Sequence, residues 1–296
     1  MTRAPADVVD HMEDIAPPAA LGAFLRSRRA RLAPEDAGLP AYGRHRRVPG
    51  LHREELALLA GVSVAYLTRL EQDRGGNVSA EVLDALARAL RLSPAERRHL
   101  RDLADCPPGK APVPPHRESL RASMRSMLAA IDSTPAYVTG HRLDILGWNA
   151  PAAAVFGDWG ALPPHERNMA RLVFLDRGLR DLHTDWHAKA TDTAGALRQY
   201  AGCHPDDPHL ATLVSELSSG SEDFRRLWAT YELKERSHGA RLLRHPLAGE
   251  LPLSFESFRL PDDPEQCLTV YHAPPGSAAA ENLRLLISRE GAAATR

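Results

Sequence analysis

Two histidines have a spacing that metal sites on helices use. His183 and His187 stand four residues apart in the segment HTDWH, so on one helix they would share a face. No acidic residue nearby has the placement of a third ligand, and no glutamate lies between the two to serve as a general base. We therefore interpret the pair as a surface feature and predict no metal site.

The sequence contains none of the common catalytic motifs. It has no Walker phosphate loop, no Gly-x-Ser-x-Gly elbow and no Cys-x-x-Cys pair. The three cysteines, Cys106, Cys203 and Cys267, are far apart and match no metal-ligand spacing. The N-terminus lacks the apolar core of a signal peptide, so we expect reduced thiols in a cytoplasmic protein. The chain is predicted not to be an enzyme and to need no cofactor.

The most informative segment is REELALLAGVSVAYLTRLEQ, at residues 53–72. Gly61 stands where the chain must turn, a position that often needs a positive φ angle. Ser63 can cap the helix that follows, because its hydroxyl can accept a hydrogen bond from a free amide of the first turn. The residues spaced to form the shared core of two short helices are Leu56, Ala60, Val62, Leu67 and Leu70. This pattern predicts a helix-turn-helix.

The second helix of this motif presents a polar face outward when its apolar residues point into the core. In helix-turn-helix proteins this helix enters the major groove and contacts base edges. Arg53 opens the first helix and suits a phosphate contact that fixes register. Since one short helix reads few base pairs, we expect a homodimer on a two-fold-related site in double-stranded DNA. The residues predicted on the DNA-reading helix are Ser63, Val64, Ala65, Thr68, Arg69 and Gln72.

Basic residues concentrate around this motif, although the formal net charge of the whole chain is only −1. Eight arginines lie from Arg26 to Arg53 against two acidic residues, which suggests a surface that meets a polyanion. The segment at residues 33–52 is longer than compact domains of this kind need. It could clamp phosphate or enter the minor groove, or it could be a solvated loop. Proximity to the motif favours DNA contact by its three arginines, Arg44, Arg46 and Arg47.

Composition divides the chain into two folded domains. Residues 1–20 are predicted to be disordered, and residues 21–104 to form the helical DNA-binding domain. Residues 105–116 contain DCPPGKAPVPP, whose five prolines predict an extended linker. Residues 117–290 are predicted to form the second domain. No apolar run approaches the roughly 20 residues that a membrane span needs.

The second domain combines helical and strand periods. Residues 179–201 have the period of one long helix, whereas residues 240–245, 251–259 and 267–272 alternate like antiparallel strands. The predicted fold class is therefore α followed by α+β: an all-helical domain and then an antiparallel-sheet domain with covering helices.

Particular motifs identify a family resemblance. LGAFLRSRRARL, REELALLAGVSVAYLTRLEQ and VLDALARALRL resemble the Xre class of helix-turn-helix regulators over residues 21–104. GRHRRVPGLHREELALLAGVS, DILGWN, ERNMARLVFLD, FRRLWA, RHPLAGEL and FRLPDDPEQ resemble the MmyB-like regulators of actinobacteria. This resemblance implies a sequence-specific transcriptional regulator with a PAS-like ligand-binding domain. It also implies a structural ion pair between Arg29 and Glu71.

The aromatic residues of the second domain are spread over its helices and strands, as a cavity between a sheet and its covering helices would require. Together with the resemblance, they suggest a small hydrophobic ligand such as a fatty acid. Trp148, Phe174 and Phe255 are predicted to contact the hydrocarbon tail of the ligand. Arg167, Asn168 and His245 are predicted to bind its acid head group. In the alternative interpretations these residues are simple core, and the domain only dimerises or docks a protein partner. A DNA-tethered enzyme is a further alternative, but the sequence offers no nucleophile–base pair for it.

Overall fold

A computed structural model of the chain describes residues 20–39, 50–105, 118–230 and 237–294. Most of the N-terminal segment, Arg44, Arg46 and Arg47, and nearly all of the proline-rich segment lie outside the described residues. The first domain contains five helices within this part of the chain. They are α1 (Ala20–Arg31), α2 (Arg53–Ala60), α3 (Val64–Glu71), α4 (Ala80–Ala89) and α5 (Pro94–Asp105).

The helix-turn-helix prediction is confirmed by α2 and α3. Leu56, Leu67 and Leu70 are fully buried in the core of the first domain. Gly61 ends α2 with a φ of 67°, a left-handed conformation that glycine adopts without steric cost. Ser63 caps α3, and its hydroxyl accepts a hydrogen bond from the Tyr66 amide at 3.1 Å. The two helices therefore meet at the turn that the sequence requires.

The second domain is built on a five-stranded antiparallel sheet with the strand order β2-β1-β5-β4-β3. This confirms the predicted fold class. The strands are β1 (Ala136–Thr139), β2 (Ile145–Trp148), β3 (His238–His245), β4 (Gly249–Arg259) and β5 (Cys267–His272). The helices are α6 (Ala122–Ala130), α7 (Ala150–Phe156), α8 (Met169–Leu175), α9 (Arg177–Leu182), α10 (Trp186–Cys203), α11 (Pro208–Gly220), α12 (Glu222–Thr230) and α13 (Ala278–Ala294).

The two faces of the sheet have different partners. On one face, strand register places Phe255 opposite Tyr271 and Thr269 opposite Tyr137, and the three aromatic residues among them join the main aromatic core. On the other face, Ala136 and Val138 pack in a smaller cluster with residues of α6 and the segment before it. Because side chains alternate along a strand, one sheet serves two separate layers.

The prediction of one continuous helix over residues 179–201 is wrong, because this segment divides into α9 and α10. Asp185 caps α10 by accepting from the Ala188 amide, and the connection before it pairs with β3. The Thr184 amide donates to the Leu242 carbonyl at 3.1 Å. His183 is therefore buried beside β3 while His187 is exposed on α10, so the interpretation of these histidines as a surface pair is also wrong.

The expectation of reduced thiols fails at Cys203, which is disulfide-bonded, whereas Cys267 forms no disulfide and Cys106 lies outside the described residues. Spacing along a sequence does not reveal which cysteines approach each other in space. Within the described ranges no group of side chains could hold a metal ion. No helix of this part of the chain is long and apolar enough to cross a membrane.

Candidate functional site

The candidate DNA-reading face lies on α3. Val64, Ala65 and Arg69 are exposed, and Gln72 is exposed directly after the helix. Residues four apart share a helix face, so these side chains form one continuous surface. Thr68 lies on the same surface, half-buried, with its hydroxyl donating to the Val64 carbonyl at 2.8 Å. The arrangement can present polar and small apolar groups to base edges in a groove.

Tyr66 supports this face, although the sequence analysis did not single it out. The Arg69 guanidinium lies 5.7 Å from the centre of the Tyr66 ring, a cation–π arrangement. Because Tyr66 is half-buried and packs against the core of the first domain, it restricts where Arg69 can point. The three-residue spacing of an aromatic and an arginine on one helix was a visible signal of this contact.

Glu71 holds the end of α3 in place. Its carboxylate is fully buried, accepts from Arg29 Nε at 2.6 Å and from Arg53 Nε at 2.5 Å, and raises the pKa of Arg53 by hydrogen bonding and charge. The implied pair between Arg29 and Glu71 is thus present. Arg53 belongs to the same cluster, and its side chain remains 43% exposed. One carboxylate therefore ties α1 and the start of α2 to the end of α3, which carries the candidate DNA-reading face.

A chain of aromatic rings crosses the core of the second domain. Ring centres are 5.8 Å apart for Phe255 and Tyr271, 5.0 Å for Tyr271 and Phe156, 6.0 Å for Phe156 and Trp159, and 5.7 Å for Trp159 and Trp148. Phe174 lies in a second ring group, 5.0 Å from Phe224 and 6.1 Å from Trp186. The structure thus places Trp148 and Phe255 at the two ends of one aromatic path, and Phe174 outside it.

Each of the three residues predicted to bind a head group instead forms hydrogen bonds with nearby backbone groups. Asn168 caps α8 through its side-chain oxygen, and its amide donates to the Arg142 carbonyl and to Asp144. Arg167 donates to the carbonyls of Gly160 and Leu162, both at 3.0 Å. His245 Nδ1 accepts from two amides in the turn between β3 and β4. Buried polar groups need such partners, so these contacts explain the three residues structurally.

A different set of polar residues lies inside the second domain, at the corner between β3 and α10. Arg241 is buried on β3, is ion-paired with Asp192 of α10, and lies 5.0 Å from the centre of the Phe255 ring. Burial lowers the pKa of Lys189 to about 8 and that of His183 to about 4. The sequence did contain one sign of this cluster: Arg241 occupies a position of β3 that the alternation of the strand predicts to face inward.

Helix α10 also connects the two domains. Gln199 donates to Asp102 of α5 at 3.1 Å, and Arg259 of β4 donates to Gln199 at 3.1 Å. Arg198 lies 4.1 Å from the centre of the Trp228 ring. Burial, followed by the charges of Arg28 and Arg198, lowers the pKa of His99 in α5 to about 3. The far end of α10 is thus part of the surface between the domains.

Comparison with protein families agrees with this division. A family described as the MmyB-like transcription regulator ligand binding domain matches residues 120–286. A helix-turn-helix domain family matches residues 20–100. A comparison with curated proteins gives no match.

Proposed function

Since the chain belongs to the MmyB-like transcription regulators, we propose that a small hydrophobic ligand in its second domain controls how its helix-turn-helix domain binds DNA. A fatty acid is the type of ligand that we favour, and the protein acts as a cytoplasmic homodimer. The matched domains make the chain a DNA-binding transcriptional regulator, and they are regulatory rather than catalytic in kind.

The placement of α10 carries the proposal of ligand control. Ala190, Ala194 and Leu197 of α10 are buried in the aromatic core, so a ligand there would press on this helix. The other end of α10 contacts α1 and α5 of the first domain. Since α1 supplies the arginine that binds Glu71 at the end of α3, movement of α10 can reach the DNA-reading helix.

Saturated fatty acids are expected to raise the melting temperature of the second domain. A ligand that binds only the folded state stabilises it by about 2.7 kcal/mol at a hundredfold excess over Kd. The measurement is thermal unfolding followed by tryptophan fluorescence, because all four tryptophans lie in this domain. Gln199→Ala removes a contact between α10 and α5. This variant should still be stabilised by the ligand, but the ligand should affect its DNA affinity less. If no fatty acid shifts the transition, the proposal of ligand control fails.

Arg69→Ala is expected to cost about 1–3 kcal/mol of binding free energy on the specific DNA site and little on random DNA. The reason is that Arg69 is exposed on α3 and held by Tyr66 toward the proposed groove. Titration of both DNA types by fluorescence anisotropy measures the difference. Arg226→Ala removes an exposed arginine of the second domain and should leave both affinities unchanged. Equal losses on both DNA types would reduce Arg69 to a phosphate contact.

The homodimer is expected to protect two half-sites about 34 Å apart along the DNA, or a multiple of that distance. The face of the sheet that packs against α6 carries exposed apolar side chains that could take part in pairing, because Leu242 and Phe258 there are 38% and 52% exposed. This observation also favours the second candidate function, a dimerisation or docking module without a ligand. Footprinting together with sedimentation measures the arrangement, and one protomer on a single asymmetric site contradicts it.

Arg53 and the arginines at 44, 46 and 47 remain proposed phosphate contacts. Their contribution would be independent of sequence, because phosphate contacts position a protein without reading bases.

A further inference from the structure

The polar cluster between β3 and α10 contains a primary amine. The cluster consists of Lys189, Asp192, Arg241 and His183. Of the 37 lysines and arginines in the chain only three are lysines, and the other two, Lys110 and Lys234, lie outside the described residues. Lys189 lies three residues before Asp192 on α10, so both side chains are on the face of the helix where Asp192 is ion-paired with Arg241 of β3.

The surroundings of Lys189 favour its neutral form. Burial lowers its pKa to about 8, and the charge of Arg241 acts in the same direction, whereas Asp192 and Cys267 raise it. At pH 7 about a tenth of such side chains are uncharged, against fewer than about one in a thousand for a lysine that titrates near 10.4. Lys189 is also only half-buried, so small molecules in the solvent reach it. An uncharged and accessible amine is a nucleophile.

His183 supplies a proton acceptor beside this amine. Its ring is buried, and Nδ1 lies 2.9 Å from the Leu179 carbonyl, so Nδ1 is the donor and Nε2 carries no proton. Nε2 is buried and has no hydrogen-bond partner within the described part of the chain. Burial, followed by the charges of Lys189 and Arg241, lowers the pKa of His183 to about 4. A negative charge in place of the Lys189 ammonium would therefore allow Nε2 to hold a proton.

These features favour a small, uncharged reactant whose product is an anion. Carbon dioxide enters a protein interior without the cost of burying a charge, and it converts a neutral amine into a carbamate. The planar guanidinium of Arg241 and a protonated His183 are both suited to pair with a carbamate oxygen. An aldehyde would convert the same amine into an imine, which bears no negative charge and gives Nε2 of His183 no reason to take up a proton.

We propose that Lys189 is a carbamylation site, at which the second domain binds carbon dioxide covalently and reversibly. The Lys189 nitrogen attacks the carbon of CO₂, a C–N bond forms, and the electron pair of one C=O bond moves to its oxygen. The nitrogen loses one proton, which passes to Nε2 of His183. A neutral amine and a neutral imidazole thus become a carbamate and an imidazolium. This inference goes beyond control by a hydrophobic ligand and does not depend on it.

The proton balance predicts a characteristic pH profile. The charged groups that face Lys189 are Arg241 of β3, Asp192 of α10, Cys267 of β5 and His183 of the connection before α10. At a fixed concentration of CO₂, the carbamate fraction should rise as Lys189 loses its proton, up to about pH 8. Above this pH the fraction should level off, because the proton released by the reaction stays on His183. Release of that proton to water would instead make the fraction continue to rise.

The test traps carbamates on the full-length protein at fixed dissolved CO₂. Triethyloxonium converts each carbamate into its ethyl ester, and peptide mass spectrometry locates and quantifies the product. At pH 7, Lys189 should give at least about tenfold more product than Lys110 or Lys234, because more of it is uncharged. The α-amino group titrates near 7.7 and is the positive control for trapping. Lys189→Arg keeps the positive charge and should lose only the product at position 189.

A second measurement detects the modification through stability. CO₂ at constant pH should raise the melting temperature of the second domain in the wild-type protein and not in Lys189→Arg, because the paired carbamate exists only in the folded state. Tryptophan fluorescence follows this domain, which contains all four tryptophans.

The outcomes decide each part of the proposal. Equal trapping at the three lysines, or none at Lys189 while the α-amino group reacts, overturns the site. A yield at Lys189 that continues to rise well above pH 8 overturns the role of His183. Should Lys189→Arg not fold, the comparison among the three lysines of the wild-type protein is sufficient. Because no fatty acid is used, failure here leaves the proposed hydrophobic ligand untouched.

Discussion

Replacing Glu71 by glutamine is expected to lower the free energy of unfolding of the helix-turn-helix domain by about 3–5 kcal/mol. The substitution keeps the shape of the side chain and removes the charge that Arg29 and Arg53 share. Arg29 is largely buried, so it would keep its hydrogen bond to the Leu51 carbonyl but lose its counter-charge where water cannot replace it. Specific DNA binding should weaken as well, because the end of α3 is then no longer tied to α1 and α2.

Urea unfolding followed by far-ultraviolet circular dichroism measures this loss. Tryptophan fluorescence measures the second domain separately and should change little, since the four tryptophans lie there. Glu81→Gln is the matched control, because Glu81 is exposed on α4 and should cost less than about 0.5 kcal/mol. A loss below about 1 kcal/mol for Glu71→Gln would mean that the buried ion cluster is not what fixes α3.

The helix-turn-helix could be predicted from the sequence because its determinants are local. The spacing of Leu56, Leu67 and Leu70, the glycine at 61 and the cap at Ser63 all act within twenty residues of chain. Each position has a requirement that few residue types satisfy, such as a positive φ angle or a free hydroxyl. The sheet followed from the same kind of signal, since β3, β4 and β5 alternate in burial as the period predicts.

The polar cluster could not be predicted because it depends on long-range contacts. His183 lies beside β3 only because the connection between α9 and α10 pairs with Leu242 and Leu243, far along the sequence. Helical periodicity over residues 179–201 concealed that break. The head-group donors proposed from the sequence came from motif segments, in which polar residues also cap helices and close turns. Motif membership alone does not separate these two roles.

Buried histidines should also make the free energy of unfolding depend strongly on pH. His99 in the first domain and His183 in the second have pKa values of about 3 and about 4, because burial and neighbouring positive charges disfavour their protonated forms. In the unfolded chain both would titrate near 6.5. The unfolded state therefore binds more protons below pH 6.5, and stability must fall as the pH falls.

Lowering the pH from 7 to 5 is expected to cost each domain about 2 kcal/mol through its own buried histidine. The stabilisation is fully present above pH 6.5 and is lost as the pH falls toward 4 for His183 and toward 3 for His99. Urea unfolding at pH 7, 6 and 5 measures this, with fluorescence for the second domain and circular dichroism for both. His99→Gln should reduce the pH dependence of the first domain, whatever its stability at pH 7. His165→Gln replaces an exposed histidine and should leave the dependence unchanged, so equal slopes in all three proteins would contradict the assignment to His99.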